Sequence, residues 1–245
     1  MSNKEVLLTE DRGPIRVLRF NRPEKLNALN TELTQAIHDA LVEADHDESV
    51  RAVVLAGEGR AFCAGADLSE FKDLTPEHED RVARRADLTA RTQMLPQQLT
   101  KPVVAAVQGA AIGGGAGLAI AADMVVAADD LKIGYPEIKH SIVPALVMTG
   151  LQRHLGRKFA FEMISTGRLL NAEEACEAGL INRVVPVGQE LEGALEIASA
   201  WASYHPSALR AIKELFYRVA DLPFTEAMRA GREVNMQMRS FRERA

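Results

Sequence analysis

The sequence predicts an α/β fold, and three observations carry that prediction. Short apolar runs rich in β-branched residues, Val50 to Leu55 and Val103 to Val107, read as buried strands. Segments with helical apolar spacing lie between and after them, giving the order strand, helix, strand, helix, strand. From Gln189 onward only helical patterning remains. We therefore expect a core over residues 1–188 and a helical region over 189–245 that serves oligomerisation and covers part of a pocket.

Taken in order, Val6 to Glu10 and Ile15 to Phe20 flank Asp11-Arg12-Gly13-Pro14 and form a hairpin, with Ile15, Val17 and Arg19 set against Arg16, Leu18 and Phe20. The turn-rich stretch from Asn21 to Leu29 leads into a helix whose buried face is Leu33, Ala36, Ile37, Ala40, Leu41 and Ala44. The strand Val50 to Leu55 ends in Gly57-Glu58-Gly59-Arg60 and opens onto Ala61-Phe62-Cys63-Ala64-Gly65-Ala66-Asp67-Leu68, a loop of small residues with a bare backbone. Glu77 to Leu99 is polar and helix-forming, a lid-like segment beside that loop. Lining residues are expected from Phe71 to Leu99 and from the carboxy-terminal helices.

Val103 to Val107 delivers the chain through Gln108-Gly109 to Gly113-Gly114-Gly115-Ala116-Gly117 and an Ala-rich helix up to Ala122. Glycines at a helix entry let backbone N–H groups approach a ligand oxygen, and the helix dipole adds about half a positive charge there. The same glycines could instead pack a strand closely against a helix, and this stretch alone leaves both readings open. Pro102 to Ala122 has no charged residue, but its five glycines, Gln108 and weak hydropathy argue against a membrane span. The spacing also misses the dinucleotide fingerprint, since the final glycine position holds Leu118 or Ile120.

Met124 to Ala128 and Leu131 to Tyr135 read as extended, and Tyr135-Pro136-Glu137 sets a carboxylate on the following turn. Ile142 onward reads as helical, with Gly156 and Gly167 as stops. Asn171 and Glu174 have capping-box spacing for a short helix ending at Gly179, and Leu180 to Val185 is a last strand closed by Pro186. The tail divides into three helices at His205-Pro206 and Leu222-Pro223.

Composition narrows the function. A net charge of -5 leaves no electrostatic footprint for nucleic acid. Cys63 and Cys176 lack Cys-x-x-Cys spacing, and the six histidines lack His-Glu-x-x-His spacing, so no metal site is expected. The start of the chain, Met1 to Leu8, has no apolar core of signal-peptide length, which points to the cytoplasm. What remains is two loops able to donate N–H groups and a carboxylate. Two donors converging on a carbonyl oxygen would stabilise an enolate by about 3–4 kcal/mol each, and the carboxylate could move the proton on the adjacent carbon.

Four blocks in order, Arg22-Pro23-Glu24-Lys25-Leu26-Asn27-Ala28-Leu29, Ala61 to Leu68, Lys101 to Asp123, and Gly179 to Asn182 near Val185-Pro186, resemble the enoyl-CoA hydratase/isomerase (crotonase) family across nearly the whole chain. The resemblance implies a spiral of ββα repeats with a helical trimerisation region, a homotrimer or dimer of trimers, and an acyl-CoA or enoyl-CoA substrate of fatty acid metabolism. It implies no cofactor beyond the CoA of the substrate. It assigns oxyanion N–H groups to Ala66 and Gly114 and an acid/base role to Glu137. It gives CoA and substrate contacts to Lys25, Leu26, Ala28, Ala64, Gly65, Asp67, Leu68, Gly113 and Gly117.

Hydratases similar to this chain typically use two glutamates, and the position of the first falls on Gly117. The glycine-rich stretch after the second is replaced by Pro144-Ala145-Leu146-Val147-Met148. Hydration of a 2-enoyl-CoA is the leading expectation. A Δ3–Δ2 enoyl-CoA isomerase with one shuttling glutamate is the alternative, and a non-catalytic CoA-binding or scaffold protein is the reading of another class.

Overall fold

A computed structural model of the chain describes residues 5–73 and 76–239. Residues 1–4 of the stretch read for a signal peptide, and 74–75 of the region read as pocket lining, lie outside the described residues.

The hairpin forms as β1 (Leu7–Arg12) and β2 (Ile15–Phe20), paired antiparallel. Parallel strands then join one edge in turn: β3 (Ala52–Gly57), β4 (Val103–Val107), β6 (Met124–Ala128) and β9 (Arg183–Val185). A second sheet holds β5 (Ala110–Ile112), β7 (Lys132–Gly134) and β8 (Leu169–Asn171) in that sequential order. The expected alternation along β2 does not hold. Ile15 to Leu18 are buried on both faces, because the six-stranded sheet is covered on both sides.

One side is covered by α1 (Thr31–His46), α3 (Gly114–Ala121) and the loops between them, in a core that includes Leu18, Phe20, Leu33, Ile37, Leu55 and Leu118. Asn30 caps α1 by accepting from Leu33 N–H at 2.9 Å. The other side is covered by α7 (Glu190–Ser203), whose Ala194, Leu195, Ile197 and Ala198 pack on Val17, Val54, Val104 and Val126. The first helix past residue 189 is therefore part of the sheet layer, and the chain leaves the core only at α8 (Pro206–Val219) and α9 (Phe224–Arg239). These two expose Ile212, Phe216, Phe224 and Met228, each more than half accessible.

The polar segment forms α2 (Glu79–Gln98), packed on α1 and α3. Helix α6 (Ala172–Glu177) carries the expected Asn171–Glu174 capping box. The helix expected from Ile142 does not form. Residues 142–150 are turns, and helix appears only in α4 (Leu151–His154) and α5 (Arg157–Thr166). Ser141 sits in the left-handed region at φ 57° and Pro144 holds Val143 out of the helical region, so the apolar residues here turn toward a cavity. Among the described residues no helix is long and apolar enough to cross a membrane, and Pro102 to Ala122 resolves into β4, β5 and α3.

Candidate active site

Two short bridges fix the loop after β3. On one side Cys63 N–H donates to Ala110 O and Ile112 N–H to Cys63 O, both at 2.9 Å. On the other, Leu29 N–H donates to Gly65 O at 2.7 Å and Asp67 N–H to Leu29 O at 3.1 Å. Extended backbone alternates its polar groups, so the N–H of Ala66, between the two residues bonded to Leu29, points to the opposite side. Gly65, at φ 94°, allows the close approach: a Cβ there would lie 2.9 Å from Ile112 O.

Beneath the loop, the Arg22 guanidinium donates to Asp67 Oδ2 at 2.8 Å and to the Ala28 carbonyl. Fully buried Asn27 donates to Glu58 O and Ala61 O and accepts from Arg22 N–H. Bonds from Ser69, then the Arg22 charge, hold the Asp67 carboxyl below its ordinary value. Asp67, expected among the ligand contacts, thus pairs with Arg22 beneath the loop and does not line the cavity described below. Cys63 is sealed in, its thiol pushed up to about 12 by burial, which removes it as a nucleophile at neutral pH.

The glycine turn provides the second donor. Gly113 precedes α3 and Gly114 is its first residue, so the Gly114 N–H has no acceptor within the helix. Gly113 N–H donates to Gly134 O at 2.9 Å, which ties this turn to the end of β7 and to the 3-10 turn Pro136–His140 that follows. That tie sets Glu137 directly against Gly113, where any Cβ would overlap Glu137 Oε1. Among the described residues Glu137 Oε2 is buried with no hydrogen-bond partner, as is the hydroxyl of Tyr135. Burial raises the carboxyl pKa of Glu137 above the ordinary glutamate range, and burial followed by the Glu137 charge raises that of Tyr135.

Ala66, Gly114 and Glu137 line one cavity of about 530 Å³, within the roughly 300–1,000 Å³ usual for small-molecule sites. Ala64, Gly65, Leu68 and Gly113 line it too, whereas Lys25, Leu26, Ala28 and Gly117 do not. Lys25 is exposed, Leu26 occupies a left-handed turn at φ 50°, and its carbonyl accepts from Ala64 N–H at 2.9 Å. The far wall comes from α2 and from the 142–147 turns. Among the described residues the carboxy-terminal helices contribute nothing to this wall, since α7 lies behind the sheet. The arrangement can hold a carbonyl oxygen on two N–H groups with a buried carboxylate beside the neighbouring carbons.

Comparison with known proteins decides the family. A sequence profile described as enoyl-CoA hydratase/isomerase matches residues 10–244. The chain belongs to the enoyl-CoA hydratase/isomerase family. A putative enoyl-CoA hydratase of Thermus thermophilus is 38% identical over 229 residues, covering 94% of this chain and 90% of that protein. The 2,3-dehydroadipyl-CoA hydratase of Escherichia coli is 36% identical over 241 residues, covering 97% and 87%. Among solved structures, an enoyl-CoA hydratase subunit of Geobacillus kaustophilus superposes with a TM-score of 0.89 at 32% identity, covering 96% of this chain and 90% of that one. The chain therefore has the crotonase fold and is an enzyme of this hydro-lyase and isomerase family, which acts on acyl-CoA substrates.

Three residues in or under the cavity wall were not singled out from the sequence, although Arg85 and Gln93 fall in the stretch Phe71 to Leu99 expected to line the pocket and Arg22 opens the first family-like block. Arg85 of α2 lines the cavity, donates to Leu29 O at 3.0 Å and lies 3.8 Å from Glu70. Gln93 of α2 also lines it, donating from Nε2 to Gly114 O at 2.9 Å. Arg22 acts through Asp67, a partner 45 positions away. Gly117 gave an indirect hint for Gln93, since a helical glycine in a buried wall leaves space that another side chain must fill.

Proposed function

We propose that this enzyme adds water across the double bond of a 2-enoyl-CoA thioester. The thioester oxygen is held by the N–H groups of Ala66 and Gly114, which carry the enolate charge as it forms. Glu137 is the one acid/base: its carboxylate takes a proton from the attacking water and returns it to the α-carbon. The observation that carries the reading is the Glu137 carboxylate, which lines the cavity with Ala66 and Gly114, sets Oε1 against Gly113 and keeps Oε2 buried with no hydrogen-bond partner among the described residues. A raised carboxyl pKa suits a group that must both accept and donate near neutral pH. The CoA portion runs over the exposed turn at Lys25 to Ala28 and the edge at Ala64 to Leu68, and no cofactor is required beyond it.

A second reading is favoured by Gly117: without a second carboxylate, one shuttling Glu137 also suits a Δ3–Δ2 double-bond shift. Incubating a panel of 2-enoyl-CoA and 3-enoyl-CoA thioesters in deuterated water, followed by mass spectrometry, separates the two. Hydration adds the mass of deuterated water, the shift adds deuterium alone, and recovery of every thioester unchanged and unlabelled restores the scaffold reading. We further propose that the apolar faces of α8 and α9 meet in a homotrimer or a dimer of trimers. A monomer by light scattering at micromolar concentration would contradict this.

A further inference from the structure

The hydration reading leaves one requirement unmet. As water attacks the β-carbon, one of its protons passes to Glu137, and its other O–H needs an acceptor that fixes the oxygen's direction. The chain has no carboxylate at Gly117 to supply one.

We propose that Gln93 positions this water. Its Nε2 donates to the Gly114 carbonyl at 2.9 Å, which fixes which end of the amide is nitrogen and turns Oε1 the other way. Oε1 occupies the space over Gly117: a Cβ at that glycine would overlap it, with Cδ at 3.1 Å and Nε2 at 3.3 Å. Among the described residues no donor reaches Oε1. The first turn of α3 is thus flanked by two side chains, Glu137 against Gly113 and Gln93 against Gly114 and Gly117, both lining the cavity that holds the proposed oxygen site.

The chemistry of an amide suits the task. Oε1 accepts the hydrogen bond of the O–H that stays on the nucleophile and is too weak a base to remove it, so a single proton moves, from water to Glu137. The O–C bond forms at the β-carbon, the π electrons move to the thioester oxygen, and Glu137 then delivers its proton to the α-carbon. The amide adds no second negative charge to oppose ionised Glu137 or the forming enolate. Gly117 is glycine because the amide fills the volume its side chain would take.

This inference rests on the hydration reading, and the experiment separates the two. Hydration kcat and KM are measured on the 2-enoyl-CoA that the wild type turns over fastest. Deuterium exchange at the α-carbon of the saturated acyl-CoA of equal length is the internal reference, since it uses the oxyanion donors and Glu137 but no attacking water. In Gln93→Met, close in volume and without the amide, hydration kcat is expected to fall about 10- to 100-fold, with KM and exchange within about threefold of wild type. Gln93→Glu keeps an oxygen acceptor, so its hydration exceeds that of Gln93→Met and its pH profile gains a second ionisation. Exchange and hydration falling in parallel in folded Gln93→Met, or hydration unchanged there, overturns the role of Gln93. A wild type that exchanges α-protons but hydrates no 2-enoyl-CoA overturns the hydration reading and this one with it.

Discussion

The two ends of α3 are built to opposite rules. Past its carboxyl end, Asp123 accepts from Val103 N–H at 2.7 Å, from Lys213 Nζ at 2.7 Å and from Tyr217 at 2.8 Å. Lys213 completes its own set on the carbonyls of Pro96 and Lys101. At the amino end, Glu137 Oε2 and the Tyr135 hydroxyl are buried without a partner among the described residues, and the Gly114 N–H has no acceptor within the helix. Comparable burial of polar groups serves two purposes. Where every donor and acceptor is matched, the cluster fastens α8 to the core, and where they are left open, the structure keeps bonding capacity for something that arrives later.

Removing the open carboxylate is the strongest way to sharpen this contrast. Glu137→Gln is expected to lower turnover by roughly 10²–10⁴ with thioester binding nearly unchanged, read from kcat and from the dissociation constant of a saturated acyl-CoA. Normal turnover would remove Glu137 from the mechanism. At the matched end the loss should appear in stability instead. Lys213→Met leaves Asp123 short of its cation and should cost about 3 kcal/mol, roughly 6–12 °C in the thermal midpoint for a chain of this size, with kcat per folded enzyme retained. Unchanged stability would show that the cluster fastens nothing.

Gly114→Pro removes an open donor with little else. Proline is well accepted at the first helical position, and the nearest obstacle is the movable Leu29 Cδ1 at 2.9 Å from an added Cβ. Turnover should fall at least about 100-fold in a folded variant, and an active one would refute the oxyanion role.

The smallest effect comes from the cost of the open carboxylate to the fold. Burial raises the Glu137 pKa, so the folded state binds its proton more tightly than the unfolded state does. That contribution is complete below the ordinary value of 4.5 and is lost as pH rises through the folded value. Thermal midpoints of Glu137→Gln should therefore exceed those of wild type slightly at pH 7 and converge with them below about pH 4. A deficit at pH 7 would mean that Glu137 is held by bonds rather than kept open.

Much of this was legible in the sequence, and what was not shares a cause. Val103 to Val107, the capped start at Asn171 and the prolines of the tail carry local signals, and each became the expected element. β5 and β8 have three residues each, too few for a period, and exist through their pairing with β7. Residues 142–150 depart from the helix expected of them because the apolar side chains of 142–147 face a cavity, which imposes no helical repeat. The stretch Phe71 to Leu99 was expected to line the pocket, but Gln93 and Arg85 lie on a polar helix, and only the packing of α2 on α3 shows that they are among the residues facing the cavity. Asp67 shows the converse, a motif residue whose work is to hold Arg22 under the loop.

The order of strands in the large sheet bears on how the protein is made. Every strand added after the hairpin pairs with one that precedes it in the chain, β3 on β2, β4 on β3, β6 on β4 and β9 on β6. A chain leaving the ribosome amino end first therefore always has a template at the growing edge, and no early strand must wait for a distant one to separate two neighbours. The cavity-lining parts follow the same calendar: the Ala66 loop emerges before the glycine turn that flanks it, and Glu137 after both. Lys213 emerges after all three and closes on carbonyls 117 and 112 positions earlier, so the fastening of α8 marks a chain in which Ala66, Gly114 and Glu137 have already been synthesised.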